Sequence, residues 1–283
     1  MKTFGGIDKE FAELHSAEII LQSIPYDGTS TWGKGADYGF EAFLVASENM
    51  ELYDIETGYE VYKKGIYMPE EWSGYNSPEL MFESVYEGTK RLLDLNKFLT
   101  FFGGEHSISI GIVKAFYERF KNISILQLDA HADLRPTYEG SKYNHACALH
   151  DASLHSNLVQ VGIRSMDITE KPFMNMDKVY FAQKMDDERW MQNSLEQLTQ
   201  DVYITLDLDV FDPSIMPATG TPEPGGLQWN ELVKYLALVF ENRNVIGFDI
   251  VELAPIAGLR APQFLAAKLY YKMLSYKFSA HAS

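Results

Sequence analysis

The sequence predicts an α/β protein of three layers, in which helices cover both faces of a mostly parallel central sheet. Short apolar segments, often rich in β-branched residues, recur along the chain and are typical of strands buried on both faces. Between several of them, apolar residues repeat at three- and four-residue spacing, as in helices with one buried side. This alternation of strands and helices favours parallel strand pairing.

Seven segments are predicted to be strands: residues 17–24, 98–104, 123–129, 157–163, 178–182, 202–210 and 245–253. Four longer segments have the helical pattern: residues 77–96, 107–120, 228–242 and 262–277. The first of these helices begins with Ser77 and Pro78, a residue suited to the N-cap and a proline suited to the first helical position.

Two segments fit the alternation poorly. Residues 25–75 are rich in Tyr, Gly and charge, and we expect long loops there with one helix near residues 41–51. Residues 134–156 follow a predicted strand but have neither a helical nor an apolar pattern. Since α/β proteins build their sites from the loops that follow strands, both segments are candidates for a functional role.

The composition indicates one globular domain spanning residues 1–283, because no Pro- or Gly-rich linker, repeat or low-complexity segment divides the chain. Hydrophobic residues make up 46% and charged residues 23%, which excludes a disordered chain. The 24 basic and 40 acidic residues give a formal net charge of −16. This charge disfavours nucleic acid and anionic membranes as partners and is compatible with a small cationic substrate.

The sequence contains few features that indicate the cellular compartment. The one cysteine, Cys147, cannot form an intrachain disulfide. The N-terminal residues lack the apolar core of a signal peptide, and no stretch reaches the ~18 apolar residues of a membrane span. We therefore predict a cytoplasmic protein.

Acidic residues alternate at the ends of two predicted strands. The segment LQLDAHAD places Asp129, His131 and Asp133 at every second position, and ITLDLDVFD does the same with Asp207 and Asp209. Side chains two residues apart point the same way if the strand persists. Alone, each residue could cap a helix or a turn. Together they would bring several carboxylates close to one another, and a cation would relieve their mutual repulsion. This pattern therefore indicates a metal site.

A histidine follows a third strand. In FFGGEHSISIG, His106 comes after a glycine pair that permits a tight turn and before Ser107, which can cap the next helix. Standing alone, His106 could equally be an ordinary loop histidine.

These motifs together carry a family resemblance. The segments GGEHS, LDAHAD and LDLDVFDPSIMPATGTPEPGGL resemble the signatures of the ureohydrolase family, which includes arginase and agmatinase. The likeness extends to PYDGTSTWGKGADYGFEAF, VGIRSMD and GFDIVELAP, in the family's order, and so spans nearly the whole chain. It implies an arginase-like fold and hydrolysis of a guanidino compound.

The resemblance implies two manganese ions per chain and six ligands: His106, Asp129, His131, Asp133, Asp207 and Asp209. Asp129 and Asp207 would bridge, with His106 and Asp133 completing one ion's ligands and His131 and Asp209 the other's. Mixed imidazole and carboxylate ligands suit manganese better than calcium or magnesium. Iron, cobalt, nickel and zinc remain open.

The resemblance also implies the reaction. A hydroxide bridging the metals would attack the guanidinium carbon, and Asp133 would relay its proton. His145, in KYNHACAL, would shuttle protons, and Glu252, in DIVELAP, would pair with the guanidinium. From the residues alone, His145 could be a surface histidine, and Glu252 could pair with a local cation such as Arg260.

The loop from Leu134 to His145 bears on the substrate. Its sequence, LRPTYEGSKYNH, resembles the agmatinase branch and lacks the Ser- and Asn-rich pattern with which arginases bind the α-carboxylate and α-amine of arginine. We therefore predict hydrolysis of agmatine to putrescine and urea, by a trimer or hexamer as the family implies. The alternatives are a guanidinobutyrase, an arginase, a formiminoglutamase, a two-metal phosphoesterase or an inactive binding homologue.

Overall fold

The computed structural model describes residues 2–279, which contain one parallel sheet. Its strands are β1 (Ile19–Ile24), β2 (Ile66–Tyr67), β3 (Phe98–Gly103), β4 (Ser124–Leu128), β5 (Asn157–Ile163), β6 (Val179–Phe181), β7 (Asp201–Asp207) and β8 (Asn244–Val251). They lie in the order β2-β1-β3-β8-β7-β4-β5-β6, and every pair of neighbours is parallel. The predicted α/β fold with a mostly parallel sheet is confirmed.

Helices cover both faces of this sheet. They are α1 (Gly39–Ser47), α2 (Pro78–Leu93), α3 (Ile108–Arg119), α4 (His150–His155), α5 (Arg189–Gln197), α6 (Trp229–Asn242) and α7 (Ala261–Ser279). One apolar core lies between the sheet and α1, α5, α6 and α7, and includes Phe43, Tyr235 and Tyr270. The other lies beneath α2, α3 and α4, and includes Val85 and Phe116. Among residues 2–279, no helix is both long enough and apolar enough to cross a membrane.

The helix signals in the sequence had mixed outcomes. Ser77 does cap α2, since its hydroxyl accepts the N–H of Leu80 at 3.3 Å. Ser107 does not cap α3, because its backbone is already helical, with φ of −60° and ψ of −21°; its hydroxyl donates to Glu105 Oε1 at 2.7 Å. The glycine pair before it is explained by close approach, since a Cβ on Gly104 would lie 1.9 Å from the carbonyl oxygen of Tyr26.

The sequence analysis did not predict several short elements. Strand β2, with two residues, has no periodicity to detect, and α5 is a strongly amphipathic helix that the prediction omitted. The prediction that residues 134–156 lack a helix is wrong at its end, where α4 packs Ala152 into the core beneath α3. The predicted helix near residues 41–51 is α1, which begins two residues earlier and ends four residues earlier.

Candidate active site

The candidate residues meet at the carboxyl ends of the four central strands. His106 follows β3, Asp129 follows β4, Asp207 ends β7 and Glu252 follows β8. These strands are neighbours in the order β3-β8-β7-β4, so residues distant in sequence are brought together at one edge of the sheet. In open parallel sheets this edge is the usual place for a ligand site.

The alternating motifs converge for a different reason from the one predicted. Strand β4 ends at Leu128, and β7 ends at Asp207, where a short 3₁₀ turn carries Asp209. The strands therefore do not persist through the motifs, and the condition for a common side-chain direction is not met. Hydrogen bonds of the loops hold the side chains instead: the Ala130 N–H donates to Asp209 Oδ1 at 2.9 Å. Asp133 has the left-handed backbone conformation, with φ of 53°, a strain that non-glycine residues keep mainly at functional sites.

Three carboxylates surround one ring nitrogen of His106. Its Nδ1 lies 3.1 Å from Asp129 Oδ2, 3.1 Å from Asp133 Oδ2 and 3.4 Å from Asp207 Oδ2. The side chain of His106 is 1% exposed. His106, Asp129 and Asp133 form a group of potential metal ligands whose donor atoms all lie within 4.8 Å of one another.

A second group shares Asp129. His131 Nδ1 lies 2.8 Å from Asp209 Oδ2 and 3.8 Å from Asp129 Oδ1. The donor atoms of these three residues also all lie within 4.8 Å of one another. An ion about 2.1 Å from each ligand needs donor atoms about 3 to 4.2 Å apart, so both groups have a suitable spacing. Asp207 stands beside the first group, while its Oδ1 accepts the N–H of Asp209 at 2.8 Å.

Burial, followed by the crowding of carboxylates, raises the pKa values of two aspartates at this site. Burial, together with the charges of Asp209 and Asp133, raises the pKa of Asp129 to about 7. Burial and the charges of Asp209 and Asp129 raise the pKa of Asp207 well above its usual range. The protein alone therefore holds these groups as carboxylates at a cost in free energy. A bound divalent cation would remove this cost.

The hydrogen bonds behind His106 also suit a metal ion. Its Nε2 lies 2.9 Å from the Thr205 hydroxyl, which donates to Asp249 Oδ1 at 2.7 Å. The imidazole must therefore donate from Nε2, which leaves Nδ1 facing the three carboxylates. The carboxylates of Asp129, Asp133 and Asp207 outweigh burial and raise the pKa of His106 well above its usual value. A bound cation would replace the proton on Nδ1 and take its lone pair. This buried Nδ1 has no hydrogen-bond partner among the described residues. A cation would satisfy both the lone pair and the carboxylates, so these residues fit a metal centre.

Glu252 lies beside this centre in a strained conformation, with φ of 69°. Its Oε1 accepts the backbone N–H of His106 at 2.8 Å. Within the described part of the chain, no Lys or Arg side chain forms an ion pair with it, so the alternative partner Arg260 is excluded. Burial and the charge of Glu105 raise its pKa well above the usual range. A cationic ligand would stabilise the ionised form of Glu252, so this buried acidic group is suited to bind one.

A cavity of about 240 Å³ opens above these residues, and both Asp133 and His145 line it with Glu252. Burial lowers the pKa of His145, which favours the neutral ring that can accept a proton. Asp167 also lines the cavity; its Oδ1 accepts the Thr169 N–H at 2.9 Å, and its Oδ2 lies 3.7 Å from Arg135. It therefore caps a turn, and one oxygen remains near the cavity.

Sequence reasoning missed one residue that holds the metal centre together. The Arg164 guanidinium donates to backbone carbonyls on both sides of the site, including those of Asp209 at 2.6 Å, Phe211 at 3.2 Å and Glu223 at 2.8 Å. It thereby fixes the turn that carries Asp209. Arg164 stands in the segment VGIRSMD, but that segment gives no sequence signal for this role, because the partners of Arg164 are backbone atoms from distant segments.

We predict that Arg164→Met lowers the affinity for divalent metal by about 10- to 100-fold, because groups that orient ligands contribute effects of this size. Metal titration followed by calorimetry measures the change. Arg243→Met is the matched control, since the Arg243 guanidinium also donates to backbone carbonyls, those of Leu195 and Leu198, at the opposite edge of the sheet. Wild-type affinity in Arg164→Met would contradict the role.

Comparison with known proteins decides the family. Residues 17–275 match the model of the arginase family. The chain belongs to the arginase family. An N(1)-aminopropylagmatine ureohydrolase from Synechocystis is 35% identical over 92% of this chain and 89% of its own length. An agmatinase from Pyrococcus horikoshii is 30% identical over 96% and 97%. The predicted family resemblance is therefore confirmed.

Solved structures agree with this membership of the arginase family. The agmatine ureohydrolase of Thermoplasma volcanium superimposes with a TM-score of 0.88 and 27% identity, over 100% of this chain and 96% of its own. The predicted arginase-like fold is confirmed, as is the predicted enzyme class, a ureohydrolase that acts on guanidino C–N bonds.

Proposed function

We propose that the chain hydrolyses agmatine to urea and putrescine. The observation that carries this proposal is Glu252, a buried carboxylate without a Lys or Arg partner among the described residues, which lines a cavity next to two groups of potential metal ligands. A carboxylate can accept two parallel N–H bonds from a planar guanidinium. Such a site selects a guanidino group and places its carbon beside the metal centre.

The proposed centre holds two Mn²⁺ ions per chain. His106, Asp129, Asp133 and Asp207 would hold one ion, and Asp129, His131, Asp207 and Asp209 the other, in keeping with the two overlapping groups of donor atoms. When bound, such a pair lowers the pKa of water and supplies a nucleophile near neutral pH. Other divalent ions that accept imidazole and carboxylate ligands could replace manganese.

Three side chains then carry out the proton and binding steps. Glu252 binds and orients the guanidinium, using the oxygen that does not accept the His106 N–H. Asp133 accepts a proton from the attacking water, and this proton passes to the departing amine as the C–N bond breaks. His145, at the cavity wall, exchanges protons with solvent, a role suited to a neutral imidazole.

A longer substrate, N1-aminopropylagmatine, is the second candidate. Three relatives at 35% identity have that name, two of them from Thermus thermophilus. The cavity lining also offers a suitable group, Asp167, whose Oδ2 is not used by the turn and has only a long ion pair with Arg135, at 3.7 Å. An additional ammonium group on the substrate could pair with it.

A substrate panel tests the proposal. We expect the manganese-loaded chain to release urea from agmatine or N1-aminopropylagmatine with kcat/KM at least about 100-fold above that for arginine or guanidinobutyrate, since bringing like charges together costs several kcal/mol. The carboxylate of the latter two would enter a cavity lined by five acidic side chains and a single arginine, Arg135, which already lies 3.7 Å from Asp167 Oδ2. Urea release from arginine but not from agmatine would contradict the assignment.

We further propose a cytoplasmic homo-oligomer, a trimer or a hexamer, without nucleic acid or membrane as a partner. The net charge of −16 supports the proposal that neither nucleic acid nor a membrane is a partner, because such a surface repels phosphates. Sedimentation or light scattering would determine the oligomeric state.

A further inference from the structure

The buried hydroxyl of Thr29 joins three separate segments of the chain. Its Oγ1 lies 2.6 Å from Glu105 Oε2, 3.0 Å from the backbone nitrogen of His145 and 3.1 Å from His145 Nδ1. Thr29 is 7% exposed, and it contacts the His145 ring without being one of the residues that line the cavity, as His145 is. It is therefore placed to act on His145 without contacting a substrate.

The hydrogens around Glu105 can be assigned by counting donors and acceptors. Glu105 is fully buried, and its carboxylate also receives the Thr29 N–H at 3.2 Å and the Ser107 hydroxyl at 2.7 Å. Two hydroxyls and one backbone N–H thus donate to its two oxygens at 2.6 to 3.2 Å. Three donors suit the ionised carboxylate, which is the form that Glu105 takes above its pKa, raised by burial to about 7. The single hydrogen of the Thr29 hydroxyl is thus directed to Glu105 Oε2, and only its two lone pairs remain for His145.

Those two lone pairs accept from the backbone N–H of His145 and from its ring. A hydroxyl whose hydrogen is already donated can meet the ring nitrogen only as an acceptor, so Nδ1 must carry the hydrogen. The lone pair of the ring is then on Nε2, on the side of the ring away from Thr29. The same arrangement recurs at His106, where Thr205 donates to Asp249 and accepts from the ring.

We propose that Thr29 is a positioning residue that fixes the tautomer of His145, so that Nε2 is the atom that accepts and returns protons at the cavity. Glu105 determines the direction of the hydrogen bond between Thr29 and His145, because it accepts the hydrogen that the Thr29 hydroxyl would otherwise donate to Nδ1. This inference rests on the proposed function insofar as His145 transfers protons there. The position of the hydrogen itself does not depend on the substrate.

The matched pair Thr29→Val and Thr29→Ser tests the proposal in the manganese-loaded enzyme. Val keeps the shape but removes the hydroxyl, whereas Ser keeps the hydroxyl. We expect Thr29→Val to lower kcat on the order of tenfold, a part of the ~10²–10⁴-fold that a positioned acid–base group contributes, with KM and metal content unchanged. Thr29→Ser should retain kcat within about twofold, as only a methyl group is lost.

Thr219→Val controls for the loss of a buried threonine hydroxyl, because Thr219 is 7% exposed and its hydroxyl has no partner among the described residues. It should keep the wild-type kcat. Equal losses in Thr29→Val and Thr29→Ser, or unchanged kcat in Thr29→Val, would overturn the proposal.

A direct measurement separates this inference from the proposed function and does not require a folded variant at position 29. Solid-state ¹⁵N NMR of histidine-labelled, Zn²⁺-loaded protein, with the His145 signals assigned by their loss in His145→Asn, reports which nitrogen is protonated. Hydrogen on Nδ1 supports the inference even if no guanidine releases urea, in which case only the proposed function fails. Hydrogen on Nε2 overturns it whatever the activity.

Discussion

Asp129→Asn is expected to reduce kcat/KM by at least about 10³-fold, because it removes the carboxylate on which metal-assisted activation of water depends. Asp129 is the one residue shared by both groups of donor atoms. Its Oδ2 lies 3.1 Å from His106 Nδ1, and its Oδ1 lies 3.8 Å from His131 Nδ1. Metal content by mass spectrometry should fall together with urea release.

An asparagine cannot simply take the place of this carboxylate. Asp129 Oδ1 accepts the His131 N–H at 2.6 Å, and Oδ2 accepts the Gln127 side-chain amide at 2.7 Å. Since both oxygens face donors, the amide group of asparagine would bring one N–H group against another. An unmade buried hydrogen bond costs about 1 to 3 kcal/mol, which adds to the loss of charge.

His145→Ala provides the comparison for this prediction. His145 belongs to neither group of donor atoms, so the variant should bind metal normally. Its kcat should fall by about 10²-fold, the lower part of the range for acid–base groups. Losses of equal size in the two variants would mean that the division between metal ligands and proton-transferring residues is wrong.

The fold was predictable because its strands are mostly apolar. Strands such as β1 and β4 are buried along their whole length, and the sequence shows this as short runs of Ile and Leu between helical patterns. The strand order was not predictable, since β8 pairs with β3 and β7 through contacts between distant segments. The central place of β8 is what brings Glu252 to the metal centre.

The site was predictable to a different degree at each residue. The alternating pattern selected Asp129, His131 and Asp133. These residues lie in a loop, which backbone hydrogen bonds hold in place, such as the bond from the Ala130 N–H to Asp209. The supporting residues around them had no signal. Asp249 stands in the segment GFDIVELAP, but nothing in that segment or in β7 indicates that its carboxylate accepts the Thr205 hydroxyl in the interior.

Glu252→Gln should lower kcat/KM by about 10²- to 10³-fold while leaving metal content unchanged, since loss of one partner from a buried charge pair costs about 2 to 5 kcal/mol. The substitution keeps the volume of the side chain, and its carbonyl oxygen can still accept the His106 N–H that Glu252 Oε1 now accepts. Only the negative charge that faces the guanidinium is lost. Glu83→Gln, on the exposed side of α2, changes the net charge equally and should have no effect.

The substrate dependence of this loss identifies the group that Glu252 binds. If its carboxylate pairs with the guanidinium, the loss should be the same factor for agmatine and for N1-aminopropylagmatine, because both present the same guanidino group. If it instead pairs with an amine of the tail, the longer substrate, with an additional ammonium group, should lose a different factor. Unequal losses would place the guanidinium elsewhere in the cavity, and normal kcat/KM would remove Glu252 from the site.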